Sequence, residues 1–235
     1  MALDDSKSVA TVAVFAALHV VLNSIPVYPF REWALYLEPL EGIILGPRLG
    51  ILTAVIGGSV SRAVVGANIF GLIYGVIGES LGVAFAGFLA KGKWRIVAAI
   101  YAFMLLAYFI HPYGVKLPFW AILDCLIGFI LIYPTKSLSK SLFNNKIDLK
   151  RFTFTILLIS FVSTVAHSLT MIFILVPVGT YAIEFGTFEA VYSAFVIGAV
   201  GSYIEDGIVL IFSVVAYSPL LLFLRRSRIL DFPLS

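Results

Sequence analysis

Apolar residues run through this chain in long unbroken stretches, and the polar positions that interrupt them are charges, prolines and glycine turns. Breaking the sequence at those interruptions predicts eight segments: Val9 to Ile25, Ala34 to Leu45, Gly50 to Val65, Ile69 to Ala90, Ile96 to His111, Pro118 to Pro134, Phe152 to Pro177 and Ala190 to Leu224. Most approach the roughly 20 apolar residues needed to cross a bilayer. In lipid such segments must be helical, because hydrocarbon cannot satisfy exposed backbone N–H and C=O groups. The second segment is too short to cross alone. The last is long for one helix, and the pattern leaves two readings: one helix over residues 190–224, or an outer amphipathic piece followed by a true span from about Tyr203.

Composition agrees with lipid as the solvent. Of the 235 residues, 61% are hydrophobic and 12% charged, against about 25% charged in soluble domains, and the mean hydropathy is +1.05. The expected fold class is an all-α integral membrane protein, a polytopic bundle of about eight spans in one transmembrane domain over residues 1–235. Asp4 and Asp5 spoil the positive flank of a signal peptide, and no small-x-small site follows Asn23. The first run is therefore read as a retained span and not as a cleaved leader. The single cysteine, Cys125, has no partner in the chain for a disulfide or a cysteine zinc site.

The basic residues carry topology. With the N-terminus inside, Lys7, Arg48, Lys91, Lys93, Arg95, Lys136, Lys140, Lys146, Lys150, Arg151, Arg225, Arg226 and Arg228 fall on the inner side, and only Arg31, Arg62 and Lys116 on the outer. That is the bias of the positive-inside rule, and it places both termini in the cytoplasm and the protein in the cell membrane as a multi-pass chain. Residues 136–151 form a basic cytoplasmic loop able to meet anionic lipid headgroups. Scattered in this way, the cations do not make a nucleic-acid surface.

Catalytic motifs are absent: the sequence holds no HExxH helix, no GxSxG turn and no carboxylate cluster of the kind that handles metal-assisted phosphoryl transfer. Gly87, Gly92 and Lys93 imitate a phosphate-binding loop, but Trp94 stands where a Ser or Thr would hold magnesium. The expectation is a chain that is not an enzyme and binds no cofactor itself.

What remains is a small set of polar residues inside apolar runs, costly in lipid and therefore expected to face a cavity. Glu79, Glu205 and Asp206 lead it, with His167, Glu38 and Glu41. His19 and Asn23 share one face of the first span. Converging, these would make an outward-open pocket rimmed by Trp33, Tyr36, Asn68, Tyr181, Glu184 and Tyr203, whose rings can stack on a flat heterocycle. Trp33, Tyr36 and Tyr181 serve equally well as interfacial-belt aromatics. His167 suits packing as well as binding, and Asp124 is expected to bond a neighbouring helix. Small residues recur four apart: Ala13 and Ala17, Gly42 with Gly46 and Gly50, Gly71 and Gly75, Gly78 and Gly82, Ala86 and Ala90. This spacing lets helices approach closely, inside the bundle or against another membrane subunit.

The stretch LEPLEGIILGPRLGILTAVIGGSVSRAVVGANIFGLIYGVIGESLGVAFAGFLA, Leu35 to Ala90, resembles the substrate-binding S components of energy-coupling-factor (ECF) vitamin transporters. The likeness lies in a proline-bearing second helix, the turn of Gly46, Pro47 and Gly50, a glycine-rich third helix, the outer loop Val65 to Phe70 and a Gly-Glu-containing fourth helix. The last two long segments, with Val176-Pro177-Val178 and Glu205-Asp206-Gly207, resemble that family's fifth and sixth helices. Residues 8–90 and 152–226 would then be the shared core, and 95–135 an inserted helix pair.

The resemblance implies capture of a small water-soluble vitamin or vitamin-like heterocycle on the outer face, beneath loops Val27 to Trp33 and Val65 to Phe70. Ala13 and Ala17 would contact a transmembrane coupling subunit, and ATP would be hydrolysed by cytoplasmic partner ATPases. The family's nickel and cobalt branch has an N-terminal histidine motif that Met1-Ala2-Leu3 lacks, so a metal substrate is disfavoured. The acids tilt the expectation toward a cationic or neutral ligand. The rival readings are a stand-alone proton-coupled transporter using Glu79, His167 or Asp206, an intramembrane hydrolase using His167, and a ligand-free scaffold.

Overall fold

The computed structural model describes residues 6–25, 33–144, 147–227 and 232–235, and every regular element among them is helical. The helices are α1 (Ser6–Asn23), α2 (Glu38–Val64), α3 (Ile69–Ala90), α4 (Trp94–Ile110), α5 (Leu123–Leu138), α6 (Leu149–Leu175), the short α7 (Tyr181–Glu184), α8 (Phe188–Phe212) and α9 (Ser218–Ser227). Single 3₁₀ turns at Trp33–Tyr36, Phe119–Ile122 and Ser139–Leu142 lie at their ends. Six helical stretches are long and apolar enough to cross a membrane; α4, at 17 residues, falls just short.

The second and third sequence segments are the two limbs of α2. Gly46 breaks them apart with φ 74° and ψ 179°, a backbone region open essentially to glycine alone, and Pro47 follows it. The limbs fold back on one another: a Cβ on Gly50 would lie 4.0 Å from the Gly42 Cα, whereas residues eight apart on a straight helix are separated by about 12 Å. Such a break strands the last carbonyls of one limb and the first amides of the next. The end of the chain fills them. Leu234 N donates to the Ile44 carbonyl at 3.0 Å, Ser235 Oγ to that of Leu45 at 2.6 Å, and Leu49 N to Ser235 Oγ at 3.1 Å.

Helix α3 packs along both limbs. A Cβ on Gly42 would meet the Val83 carbonyl at 2.3 Å and the Ala86 Cβ at 2.5 Å, so the glycine spacing here serves packing inside the bundle. The first limb begins beside Gly82, past the middle of α3, and residues 34–47 are all buried. It is a half-length helix whose N-terminus is enclosed by protein, the setting in which irregular backbone is tolerated at depth.

Helix α6 is the axis of the remainder, with 16 of its 27 residues buried and α3, α4, α5 and α8 packed around it. The last apolar run does not break at Tyr203. It continues helically from Phe188 to Ser227, and its irregularity is a π turn at Ser213–Tyr217. Pro219 accounts for the position: its ring and missing N–H forbid a regular bond to the carbonyl four residues back, and the extra residue of a π turn relieves the clash.

Candidate functional site

Two polar systems occupy the bundle. The first is a cavity of about 390 Å³ between α6 and α8, closed by the start of α5, the first turns of α3 and α7. Its walls are mostly apolar, and its polar lining comes from Tyr74, Asp124, Ser168, Glu184, Ser202 and Glu205. Asp124, at the start of α5, accepts from Cys125 N at 2.7 Å and from Ser202 Oγ on α8 at 3.0 Å; Ser202 in turn contacts Ser168 Oγ on α6 at 3.3 Å. Tyr74 is hydrogen-bonded to Thr180. Glu205 is buried on this wall, while Asp206 is buried beside it without lining the cavity. The size suits a small metabolite.

The second system is an ion cluster where α1, α2 and α3 meet. His19 Nε2 lies 2.6 Å from Glu41 Oε2, and His19 Nδ1 lies 3.6 Å from Glu79 Oε2. Arg62 Nη2 donates to Glu79 Oε1 at 2.9 Å, and Asn23 Nδ2 to Ser61 Oγ at 2.9 Å. Arg62 is 3% and Glu79 1% exposed. Glycines make the room: a Cβ on Gly75 would lie 2.0 Å from the Arg62 guanidinium carbon, and one on Gly58 2.5 Å from Glu79 Oε2. Nearby, His167 Nδ1 of α6 pairs with Glu38 Oε1 at 2.6 Å, at the buried start of α2.

The carboxylates expected to converge are therefore divided. Glu79 belongs to the ion cluster and does not line the cavity that Glu205 lines. Arg62, counted on the outer side, is buried in the bundle as the counter-charge of Glu79. Glu38 and His167 pair with each other across α2 and α6 through Glu38 Oε1. Asn68 is exposed and caps α3, accepting from Gly71 N at 2.8 Å, so its amide is used locally. Tyr203 is on the outer surface of α8 and donates to the Trp120 carbonyl. Trp33 is half-buried against Tyr36, which stacks on Phe212 at 5.6 Å. Tyr181 packs at 4.6 Å on Tyr113, and Glu184 reaches the cavity wall.

Ala13 and Ala17 are exposed on α1, opposite its buried stripe of Val12, Phe15, His19 and Asn23. Arg31, Lys146, Arg228 and the loop from Val27 as far as residue 32 lie outside the described residues. Among the described residues no group of three His, Cys, Asp or Glu side chains is arranged to hold a metal ion.

Sequence reasoning missed Tyr74 as a cavity residue and the pairing of Arg62 with Glu79. A signal for the pairing existed: reflecting the α2–α3 hairpin about its loop at Asn68 and Ile69 sets Arg62 opposite Gly75 and Glu79 opposite Gly58, a long polar chain facing a glycine twice. Comparison with protein-family models, with curated proteins and with solved structures returned no match.

Proposed function

We propose that this chain is the membrane-embedded substrate-binding subunit of an uptake transporter for a small water-soluble molecule. The observation that carries the reading is the cavity: about 390 Å³ amid apolar helices, with the buried carboxylates Asp124 and Glu205 on its wall. Acids in so apolar a setting are costly unless they serve a ligand or a polar path. The cavity is bordered by the start of α3, the end of α6 and the α7 segment that follows it, which the positive-inside bias assigns to the outer face; the middle of α8 closes its side. Glu184 adds a third acid, and among the described residues no lysine or arginine lines the wall, so the preferred ligand is a cationic or neutral heterocycle.

The resemblance to ECF S components supplies the rest of the proposal. Both termini are cytoplasmic, α1 presents Ala13 and Ala17 to a coupling subunit, and ATP hydrolysis on partner subunits drives release inward. In this reading the two limbs of α2, with α1, α3, α4, α5, α6 and the long α8, serve as the eight spans. The start of α5 does more than decorate it: Ala121, in the 3₁₀ turn before α5, and Asp124, in its first turn, line the cavity, so the inserted segment helps to shape the site.

Extraction in mild detergent, followed by mass spectrometry of what co-purifies, tests the reading directly. The expected result is a small polar molecule in stoichiometric amount, with affinity reduced at least about tenfold in Glu205→Gln, the order expected for loss of a charged hydrogen-bond partner. Proton-driven accumulation in proteoliposomes holding this chain alone would replace the subunit reading with that of a self-sufficient transporter. Multiply anionic ligands bound equally well by Glu205→Gln and Asp124→Asn would refute the assignment of the cavity.

A further inference from the structure

We infer that His19 is a buried proton-binding site, held as an imidazolium between Glu41 and Glu79, and that this proton clamps α1 to the α2–α3 hairpin. The inference is independent of what occupies the cavity.

Both ring nitrogens face carboxylate oxygens. Nε2 lies 2.6 Å from Glu41 Oε2, and Nδ1 is at ion-pair distance, 3.6 Å, from Glu79 Oε2. With both carboxylates ionised, a neutral imidazole, which has one donor and one bare lone pair, would in either tautomer set that lone pair against an acceptor. With both nitrogens protonated, each faces a partner of opposite charge.

Charge balance leads the same way. The titratable and charged groups that face His19 are Glu41 from the first limb of α2, Arg62 from its second limb and Glu79 from α3. Two carboxylates and one guanidinium leave one net negative charge, a state strongly disfavoured away from water. One proton within the His19–Glu41 pair cancels it, and on His19 its charge also meets Glu79. The 3₁₀ turn at Trp33–Tyr36, which also touches α1, adds only Tyr36, whose ring stacks on Phe212.

The site is built into the packing. His19 is fully buried, and a Cβ on Gly57 would lie 2.7 Å from the His19 Cβ, so the second limb of α2 is pressed against α1 at this level. Asn23, one turn further along the same face, bonds Ser61 of that limb, and its buried Oδ1 has no hydrogen-bond partner among the described residues. Apart from this column, α1 buries only Val12 and Phe15, so its seat depends on the ion contact to an unusual degree. The exposed Ala13 and Ala17 lie across the same helix.

The test uses the full chain in lipid nanodiscs with ¹⁵N-labelled histidine. Of its three histidines, His19 is identified by the resonance that disappears in His19→Gln. At pH 7.5 the expected wild-type spectrum has both His19 nitrogens protonated, and in Glu41→Gln, which keeps the Arg62–Glu79 pair, a neutral tautomer emerges. A neutral His19 ring in the wild type, with the proton on Glu41 or absent, overturns the assignment. A spectrum that changes when sodium replaces choline overturns it in favour of a bound sodium ion. The clamp is read by amide hydrogen exchange: His19→Gln should speed exchange along α1 by about ten- to a hundredfold, the range for losing a charge-assisted hydrogen bond, with α6 unaffected. Unchanged exchange in α1 overturns the clamp.

Discussion

Replacing Arg62 by methionine isolates the energetics of the ion cluster. The side chain is 3% exposed, and its Nη2 lies 2.9 Å from Glu79 Oε1, itself on a residue 1% exposed. At an effective dielectric of 20 the attraction at this distance is about 6 kcal/mol. Part of it remains available to Glu79 from His19 at 3.6 Å. Leaving a buried charge without its partner costs about 3–5 kcal/mol in folded proteins, and Arg62→Met should fall in that range. Methionine fills most of the vacated volume, so little of the loss comes from a cavity.

The diagnostic is the double variant. Arg62→Met with Glu79→Met removes both charges and restores an apolar contact between α2 and α3, and such exchanges are often neutral or stabilising. Unfolding titrations with SDS in mixed micelles, followed by tryptophan fluorescence, would place wild type, both single variants and the double variant on one scale. The expected coupling energy is at least about 2 kcal/mol, within the range for contacting charged residues. Additive single losses, or an Arg62→Met cost below about 1 kcal/mol, would refute the claim that the pair is buried and mutually dependent.

Gly46→Ala should destabilise by more than the roughly 1–3 kcal/mol of a strained backbone residue, because a Cβ there would also lie 2.1 Å from the Ser235 carbonyl; the same unfolding titration reads it. Asn68→Ala should cost about 1 kcal/mol through loss of the α3 cap and leave affinity for any co-purified ligand unchanged. Ala17→Leu, on the exposed face of α1, should leave stability within about 0.5 kcal/mol yet abolish co-purification with a coupling subunit, whereas unaltered assembly would place that contact elsewhere.

The helices were legible because the bilayer leaves the backbone few options. Apolar length and the positions of proline and glycine located α1, both limbs of α2 and α3 through α6 within a few residues. Gly46-Pro47 was readable as a turn because positive φ and a missing N–H are local properties. The run beyond Ala190 could be read as one helix or as two, since nothing in its apolar pattern reports that the irregularity falls at Pro219 rather than Tyr203. The site was harder for a related reason. Sequence identifies which residues lipid will not solvate but not how they are paired, and pairing depends on the register between helices. Glu79 and Glu205 look alike as isolated carboxylates, yet one is matched by an arginine seventeen positions earlier and the other faces a cavity.

The two polar systems meet on α6. His167, paired with Glu38, and Ser168, on the cavity wall, are consecutive residues of its buried stretch. Glu38 opens the enclosed first limb of α2, whose Glu41 holds His19 of α1. A displacement of α6 large enough to reshape the cavity at Ser168 must either carry that limb with it or break a contact of 2.6 Å between buried ionisable groups. Breaking it would strand polar atoms in the interior, at about 1–3 kcal/mol or more for each. Moving together is the cheaper course. Helix α1, held through the next link of the same chain, is thereby tied to the side of the bundle where a ligand would bind, although it contributes nothing to the cavity wall.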